Sequence, residues 1–475
     1  MASFPENTSR HWLAEETLGW SRTFGGSSIL KLLPSLPISE AREKVLKSGG
    51  WLLARQAVNM VNTLVLGVLL ARHLGPEGFG VLSYTVSLVA VLAPLTTLGL
   101  KNLSLREYAQ SPAEADQILG TITVMRVLGT LVSIAAAYFV ATRFPIDHEN
   151  IAILCVIAAG AVLFKAFDSL QEYFIAEQDP KPFVINSVLI LLFFTAVKVA
   201  LILGDYTVDA FILANAAQTA AQSVGIVIAY RRNRGAFPGF RVDPSRMKLY
   251  ARQGFPLMMG AMSAVIYLKI DVLFLSNMAG KEVTGIYSVA ARLAEAWYML
   301  PATLALAAFP RMVQLRQESQ KRYNRRMQDA LDVFAAFGTA IAVTSIFWAE
   351  PLIRILFGPA YAAAVPVLQI YVWIGIVFAT RALIHKWLLA EGFFWGSAMI
   401  NLTGAVSNVI LNLALIPRFG AEGAAVATVI SYTLAPILLA PIVPSLRPVA
   451  IMQLKAIVWP RRLVQLYGRG GSGQG

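Results

Sequence analysis

The chain has 475 residues, of which 57% are hydrophobic and 14% charged, with a mean hydropathy of +0.61. A soluble domain of this size carries roughly 25% charged residues, so the composition excludes a water-soluble globular protein and calls for lipid as the solvent. The net charge of +13 would suggest nucleic acid in a soluble chain. Here the basic residues gather between apolar runs, the mark of membrane topology, and no nucleic-acid partner is expected.

A largely polar tail comes first, over 1–47, with an apolar island at Ile29–Leu36. The first long apolar run begins near Ser48, behind that tail, and is expected to stay in the membrane rather than be cleaved. Six spans are predicted at Trp51–Ala71, Phe79–Gly99, Ile118–Ala141, Ile151–Leu170, Phe183–Leu203 and Val208–Tyr230. Six more follow at Gly254–Met278, Val283–Leu306, Ala330–Ala349, Val367–Ala390, Phe393–Ile416 and Gly423–Val443. The expected fold is all-α and integral to the membrane, with about twelve spans. Its divisions are a tail (1–47), a six-helix bundle (48–231), a basic linker (232–252), a second six-helix bundle (253–444) and a C-terminal tail (445–475). The single cysteine, Cys155, leaves no internal disulfide and no multi-cysteine metal site, and no metal is expected.

Lys and Arg set the orientation. With the N-terminus inside, 27 of the 40 fall in inner segments, while the outer ones hold Arg72, Arg143, Lys281, Arg354 and Arg418. Both termini are therefore expected in the cytoplasm. The loops Arg231–Arg252 and Arg311–Arg326 mix basic with apolar residues. They read either as amphipathic helices on anionic headgroups or as plain topology signals. Lys101–Gln117 has the same character, and Pro448–Leu466 could rest on the membrane.

The two halves resemble each other. Leu74-Gly75-Pro76-Glu77-Gly78-Phe79-Gly80-Val81-Leu82-Ser83-Tyr84 recurs 205 residues later as Ala279-Gly280-Lys281-Glu282-Val283-Thr284-Gly285-Ile286-Tyr287-Ser288-Val289, with Gly, Glu, Gly and Ser in register. Six spans per half make the repeat parallel. That implies a pseudo-two-fold axis along the membrane normal, substrate between the halves and alternating access by rocking.

Two strings carry a family resemblance. They are Ala71-Arg72-His73-Leu74-Gly75-Pro76-Glu77-Gly78-Phe79-Gly80 and Leu411-Asn412-Leu413-Ala414-Leu415-Ile416-Pro417-Arg418-Phe419-Gly420-Ala421-Glu422-Gly423-Ala424-Ala425. Both resemble the polysaccharide-export flippases, the Wzx-like branch of the multidrug/oligosaccharidyl-lipid/polysaccharide superfamily, over Ser48 to Val443. The resemblance implies two bundles around a central cavity in the cytoplasmic membrane. It also implies a polyprenyl-diphosphate-linked oligosaccharide as substrate, flipped from the inner to the outer leaflet, with membrane lipids and polysaccharide polymerase machinery as partners. The peptidoglycan-precursor flippases are a sibling branch, usually of fourteen spans. The strings name no binding residue.

Candidates for binding come from charge inside the spans, where each charged residue costs about 2.5–3.5 kcal/mol. The basic residues are Arg55, Arg126, Lys165, Lys198, Lys269, Arg292, Arg381 and Lys386, and the acids are Asp168, Asp271 and Glu295. The surplus suits an anionic substrate. Lys165 with Asp168, and Arg292 with Glu295, are spaced to pair along one helix face, and Lys386 can snorkel to headgroups. Arg55, Arg126, Lys198 and Arg381 have no acid within four residues on their own helices. They are the predicted substrate-binding residues, with Asn59 and Asn62 on the stripe of Arg55. An Arg fork suits a diphosphate. Snorkelling, or an acid on another helix, would explain the same residues without a substrate.

Asp271 has no same-face partner, since Lys269 points elsewhere, and is the predicted ion-coupling or gating residue. Asn401, Asn408 and Asn412 share a face and read as helix packing. No ATPase-type phosphate loop occurs, so no cofactor is expected and a gradient would drive transport. The alternatives are an ion-coupled small-molecule exporter of the same superfamily, which would favour acidic and aromatic cavities, and a polyprenyl-linked sugar transferase or polymerase, which would need larger outer loops. Neither fits as well, and no catalytic residue is expected.

Overall fold

The computed structural model describes residues 38–235, 239–296, 318–390 and 394–457. Outside the described residues lie the tail up to residue 37 with its Ile29–Leu36 island, the end of the expected span Val283–Leu306, residues 311–317 of the second basic loop and everything beyond Ile457.

The first helix, α1 (Ile38–Thr97), has 60 residues. Straight, it would be about 90 Å long, three times the roughly 30 Å hydrocarbon core. It breaks at Gly75, whose φ of 64° lies where a Cβ is disfavoured, just before Pro76, which has no N–H to donate. α1 is thus two passes joined by a turn. α13 (Phe394–Leu439) repeats the device at Gly420, φ 53°. Both glycines sit in the two strings that carry the family resemblance.

Between them come α2 (Lys101–Gln110), α3 (Ala115–Arg143), α4 (Ile151–Ala161), α5 (Ser169–Ala176), α6 (Lys181–Leu203), α7 (Val208–Arg234) and α8 (Pro244–Met278). A helix over 281–296 (α9), α10 (Gln320–Phe357), α11 (Ala364–Tyr371) and α12 (Ile374–Ala390) precede α13, and α14 (Arg447–Ile457) follows it. Nine helical stretches among the described residues are long and apolar enough to span. With two passes each in α1 and α13 and the start of another in α9, the described helices account for twelve passes. The described residues contain no strand.

Two spans differ from expectation. Ile151–Leu170 is not one continuous helix: α4 ends at Ala161, a tighter 3-10 stretch covers Val162–Asp168, and α5 resumes at Ser169. Val367–Ala390 is likewise divided between α11 and α12.

The two copies of the repeat meet at the Gly75 end. A Cβ on Gly80 would collide with the Lys281 carbonyl, and one on Gly285 with the Pro76 carbonyl. Each would also lie 3.1 Å from the other glycine's amide nitrogen. Pro76 and Lys281, like Gly80 and Gly285, are one repeat apart, so the contact is reciprocal, as a two-fold axis requires. Lipid supplies no hydrophobic drive between helices, and small residues that let backbones touch are what holds such crossings.

Polar contacts close the same end. Lys281 Nζ lies 3.2 Å from Glu77 and 3.6 Å from Asp147. Its bond to Glu77, with the charge of both acids, raises the Lys281 ammonium above its ordinary range. Arg72 donates to the carbonyls of Leu356 (2.6 Å) and Ile355 at the C-terminus of α10, and Tyr361 Oη donates to Ala71 O at 2.8 Å.

At the opposite end the first turns of α8 pack on the first half. Arg246 pairs with Glu114, reaches Asp243 at 3.5 Å and lies 4.0 Å from Glu107. Tyr250 Oη and Arg106 also donate to Glu107, each at 3.1 Å, and Arg106 reaches Gln253 at 3.1 Å. The basic loop Arg231–Arg252 is therefore not wholly turned to headgroups: its Arg246 is taken up by acids of α2 and the following turn.

Candidate functional site

The polar side chains inside the helices fall into three groups. The first is built by the break in α4–α5, which brings Asp168, Gln171 and Glu172 toward α1 and α3. Arg55, half-buried on α1, donates to Gln171 Oε1 at 3.3 Å, and its guanidinium lies 5.2 Å from the Phe183 ring centre. Arg126 on α3 is 3% exposed and donates to Glu172 at 3.4 Å, with its Nε buried and unpartnered. Asp168 shares the field of Lys165, Arg126 and Arg55. Three cations therefore face two carboxylates. The predicted pairing of Lys165 with Asp168 is only part of this arrangement, because Asp168 also answers charges on other helices.

The second group runs along α6. Asn62 accepts from Thr195 Oγ1 at 2.7 Å. One turn on, Lys198 is buried at 4% exposure and donates to Gln218 Oε1 of α7 at 2.6 Å. That neutral amide is the contact described for Lys198. Asn59, half-buried on α1, lies one turn from both Arg55 and Asn62.

The third group belongs to the second half. Arg381 on α12 donates to Asn401 and lies 5.1 Å and 5.2 Å from the rings of Tyr267 and Tyr432, which stack at 3.9 Å. Its charge is held by an amide and two π-faces. Asp271 on α8 is 1% exposed, accepts from Tyr287 Oη of α9 and from the Val272 amide at 2.9 Å, and has no cation within ion-pair distance among the described residues. Close by, Asn412 donates to Asn408 at 2.9 Å, and Asn408 donates to Thr428 and Ser431 at 3.4 Å and 3.3 Å. The expectation of helix packing for Asn408 and Asn412 fits this chain of bonds, although Asn412 Oδ1 is buried without a partner. The side chain of Lys386 lies outside the described residues.

Arg292 and Glu295, spaced to pair along one face, make no ion pair with each other. Glu295 binds Lys269 of α8 at 3.0 Å, not Arg292. The bond across helices holds the carboxylate, and Arg292 instead crosses to the first half. Its guanidinium lies 5.2 Å from the Phe79 ring centre, and a Cβ on Gly67 of α1 would come within 3.1 Å of Arg292 Cδ. Sequence reasoning passed over Arg292 because a three-residue spacing offered it a local partner. Only the contact between helices shows it as an intramembrane cation at the seam of the two halves.

The groups do not form one cluster. The structure places Arg55 and Arg126 against neighbouring residues of one segment, Asn62 and Lys198 on one line, and Arg381 and Asp271 apart from both in the second half.

The family model described as polysaccharide biosynthesis protein matches residues 45–316, more than half of the chain, and the MatE family model matches 256–414. A protein of Haloferax volcanii named as the flippase AglR is 28% identical over 246 residues, which span 51% of this chain and only 50% of that relative. A protein of Shigella flexneri named as an O-antigen transporter is 23% identical over 405 residues, 80% of this chain and 93% of that one. Among solved structures, the lipid II flippase MurJ in an inward closed conformation superposes with a TM-score of 0.64 over 87% of this chain and 91% of its own, at 15% identity. An inward-facing multidrug resistance MATE transporter gives 0.57 over 89% and 99%, at 12% identity. At these identities the structures speak for the two-lobed helical fold alone. The chain belongs to the polysaccharide biosynthesis protein family of the multidrug/oligosaccharidyl-lipid/polysaccharide superfamily.

Proposed function

We propose that the protein flips a polyprenyl-diphosphate-linked oligosaccharide from the inner to the outer leaflet by alternating access, as a transporter rather than an enzyme. The observation that carries this reading is the depth order of its intramembrane cations. Arg55 lies about 30 Å from Gly75 along α1, Arg292 about 18 Å from Gly280 along α9 and Lys198 about 9 Å from Gly204 along α6. Positive charge thus recurs from one side of the bilayer to the other, with Arg126 beside the first step, and a diphosphate could pass along it. The tally of basic residues sets the α2 end in the cytoplasm. The contacts at the Gly75 end then seal the outer side. The names of the two relatives support a lipid-linked sugar as cargo. A small-molecule exporter gains some support from the MatE match, but the surplus of cations speaks against a cationic drug.

The test centres on Arg126 and must allow for Glu172. Arg126→Ala alone would strand a buried carboxylate and cost about 3–5 kcal/mol in folding. Arg126→Lys and the double variant Arg126→Gln with Glu172→Gln keep the site neutral or paired. Normal protein levels are expected for both, with export of the sugar partly lost in the first and abolished in the second. Wild-type export from the double variant would end the proposal.

A further inference from the structure

We propose that α14 and the first turns of α10 form a docking ledge for anionic phospholipid headgroups of the inner leaflet. α14 packs across the ends of α10, α12 and α13. Ala450, Gln453 and Ala456 recur every third residue and are buried against the bundle, and Gln328 Nε2 on α10 donates to Met452 O at 3.2 Å. The opposite face carries Arg447, with Ile451 one turn on and Leu454 and Lys455 about two turns on, and all four are exposed. Ile451 at 50% and Leu454 at 44% are uncovered among the described residues. An apolar stripe bordered by cations on a short helix is the pattern of a helix lying in the membrane interface.

α10 supplies the other half. Arg322 and Arg326 stand on the same stripe as Val333 and Phe337, which are 63% and 44% exposed. Arg326 is about 10 Å above Val333, the height of a headgroup over the acyl boundary. Lys321 and Arg325 extend the patch, and neither they nor Arg322 make an ion pair among the described residues. Arg326 is 4.0 Å from Asp329, and Arg447 donates through Nε to Ala440 O at 3.2 Å. Six basic residues stand against Glu318, Asp329 and Asp332 on the same turns. A zwitterionic lipid offers this surplus no net charge, whereas an anionic one does. The basic loop ending at Arg326 thus supplies a headgroup contact at its described end, joined there by a helix far away in sequence.

The test uses the whole protein in nanodiscs of phosphatidylcholine with phosphatidylglycerol, one or the other carrying brominated chains. A bimane is placed on Leu454→Cys, with the buried Cys155 changed to Ala. Bromolipid is expected to quench the probe, and brominated phosphatidylglycerol to quench as though enriched over its bulk share. Each basic residue near an anionic surface should contribute about fivefold to that enrichment. Lys455→Gln should then lower it by about that factor. The quadruple variant Arg322→Gln, Arg325→Gln, Arg326→Gln, Lys455→Gln should bring it close to one, as should high salt. No quenching from either lipid would leave the face to a protein partner or a second copy and overturn the proposal. So would equal quenching by the two lipids in the wild type, or unchanged enrichment in the quadruple variant.

Discussion

At the level of single residues, Asp271 is the clearest departure from what folding alone would select. A carboxylate can accept about four hydrogen bonds, and this one takes one hydroxyl and one backbone amide without a cation beside it. Asp271→Asn keeps the shape and an oxygen for Tyr287 while removing the charge. Relief of an unpaired buried charge should leave stability unchanged or raised. If Asp271 couples transport to an ion or holds a gate, as we propose, the same variant will transport more slowly. Unchanged transport across external pH and sodium concentration would remove that role. The isolation of Asp271 was legible in the sequence, because Lys269 two positions away cannot share its face. The partners of Arg126, Glu295 and Arg292 were not, since spacing reports neighbours on one helix and these bonds run between helices.

At the level of elements, apolar runs marked the passes, while the sharp bends at Gly75 and Gly420 inside continuous helices came only with the structure. The 3-10 break was hidden, because Val162–Asp168 is mostly apolar and carries no glycine or proline to mark it. The attachment of α8 was hidden too, since a basic linker reads the same whether its charges meet lipid or acids. Glu107 is the centre of that attachment, receiving Arg106 and Tyr250 with Arg246 close by, whereas Glu114 is half-exposed and meets Arg246 alone. Glu107→Ala is therefore expected to cost about 1–3 kcal/mol, and Glu114→Ala less than about 1 kcal/mol. Thermal melts in detergent will rank them. Equal shifts would show that the attachment rests instead on the close backbone approach of Gly99 to Met258 and of Gly254 to Leu98.

Across the whole molecule, the repeat was legible as a faint match of Gly, Glu, Gly and Ser. Its meaning, a backbone-to-backbone crossing on the axis between the halves, needed three dimensions. A Cβ at either Gly80 or Gly285 meets the equivalent carbonyl, so Gly80→Ala and Gly285→Ala should loosen the seam equally. A thiol probe in the interior will read each as a similar gain in labelling from the outside, and a marked inequality would deny the symmetry. The crossing is, in form, the isologous interface of a homodimer written into one polypeptide. A gene cut between the codons for residues 235 and 239 should accordingly yield two fragments that find each other in the membrane, with Arg246 and Glu107 fixing which surfaces meet.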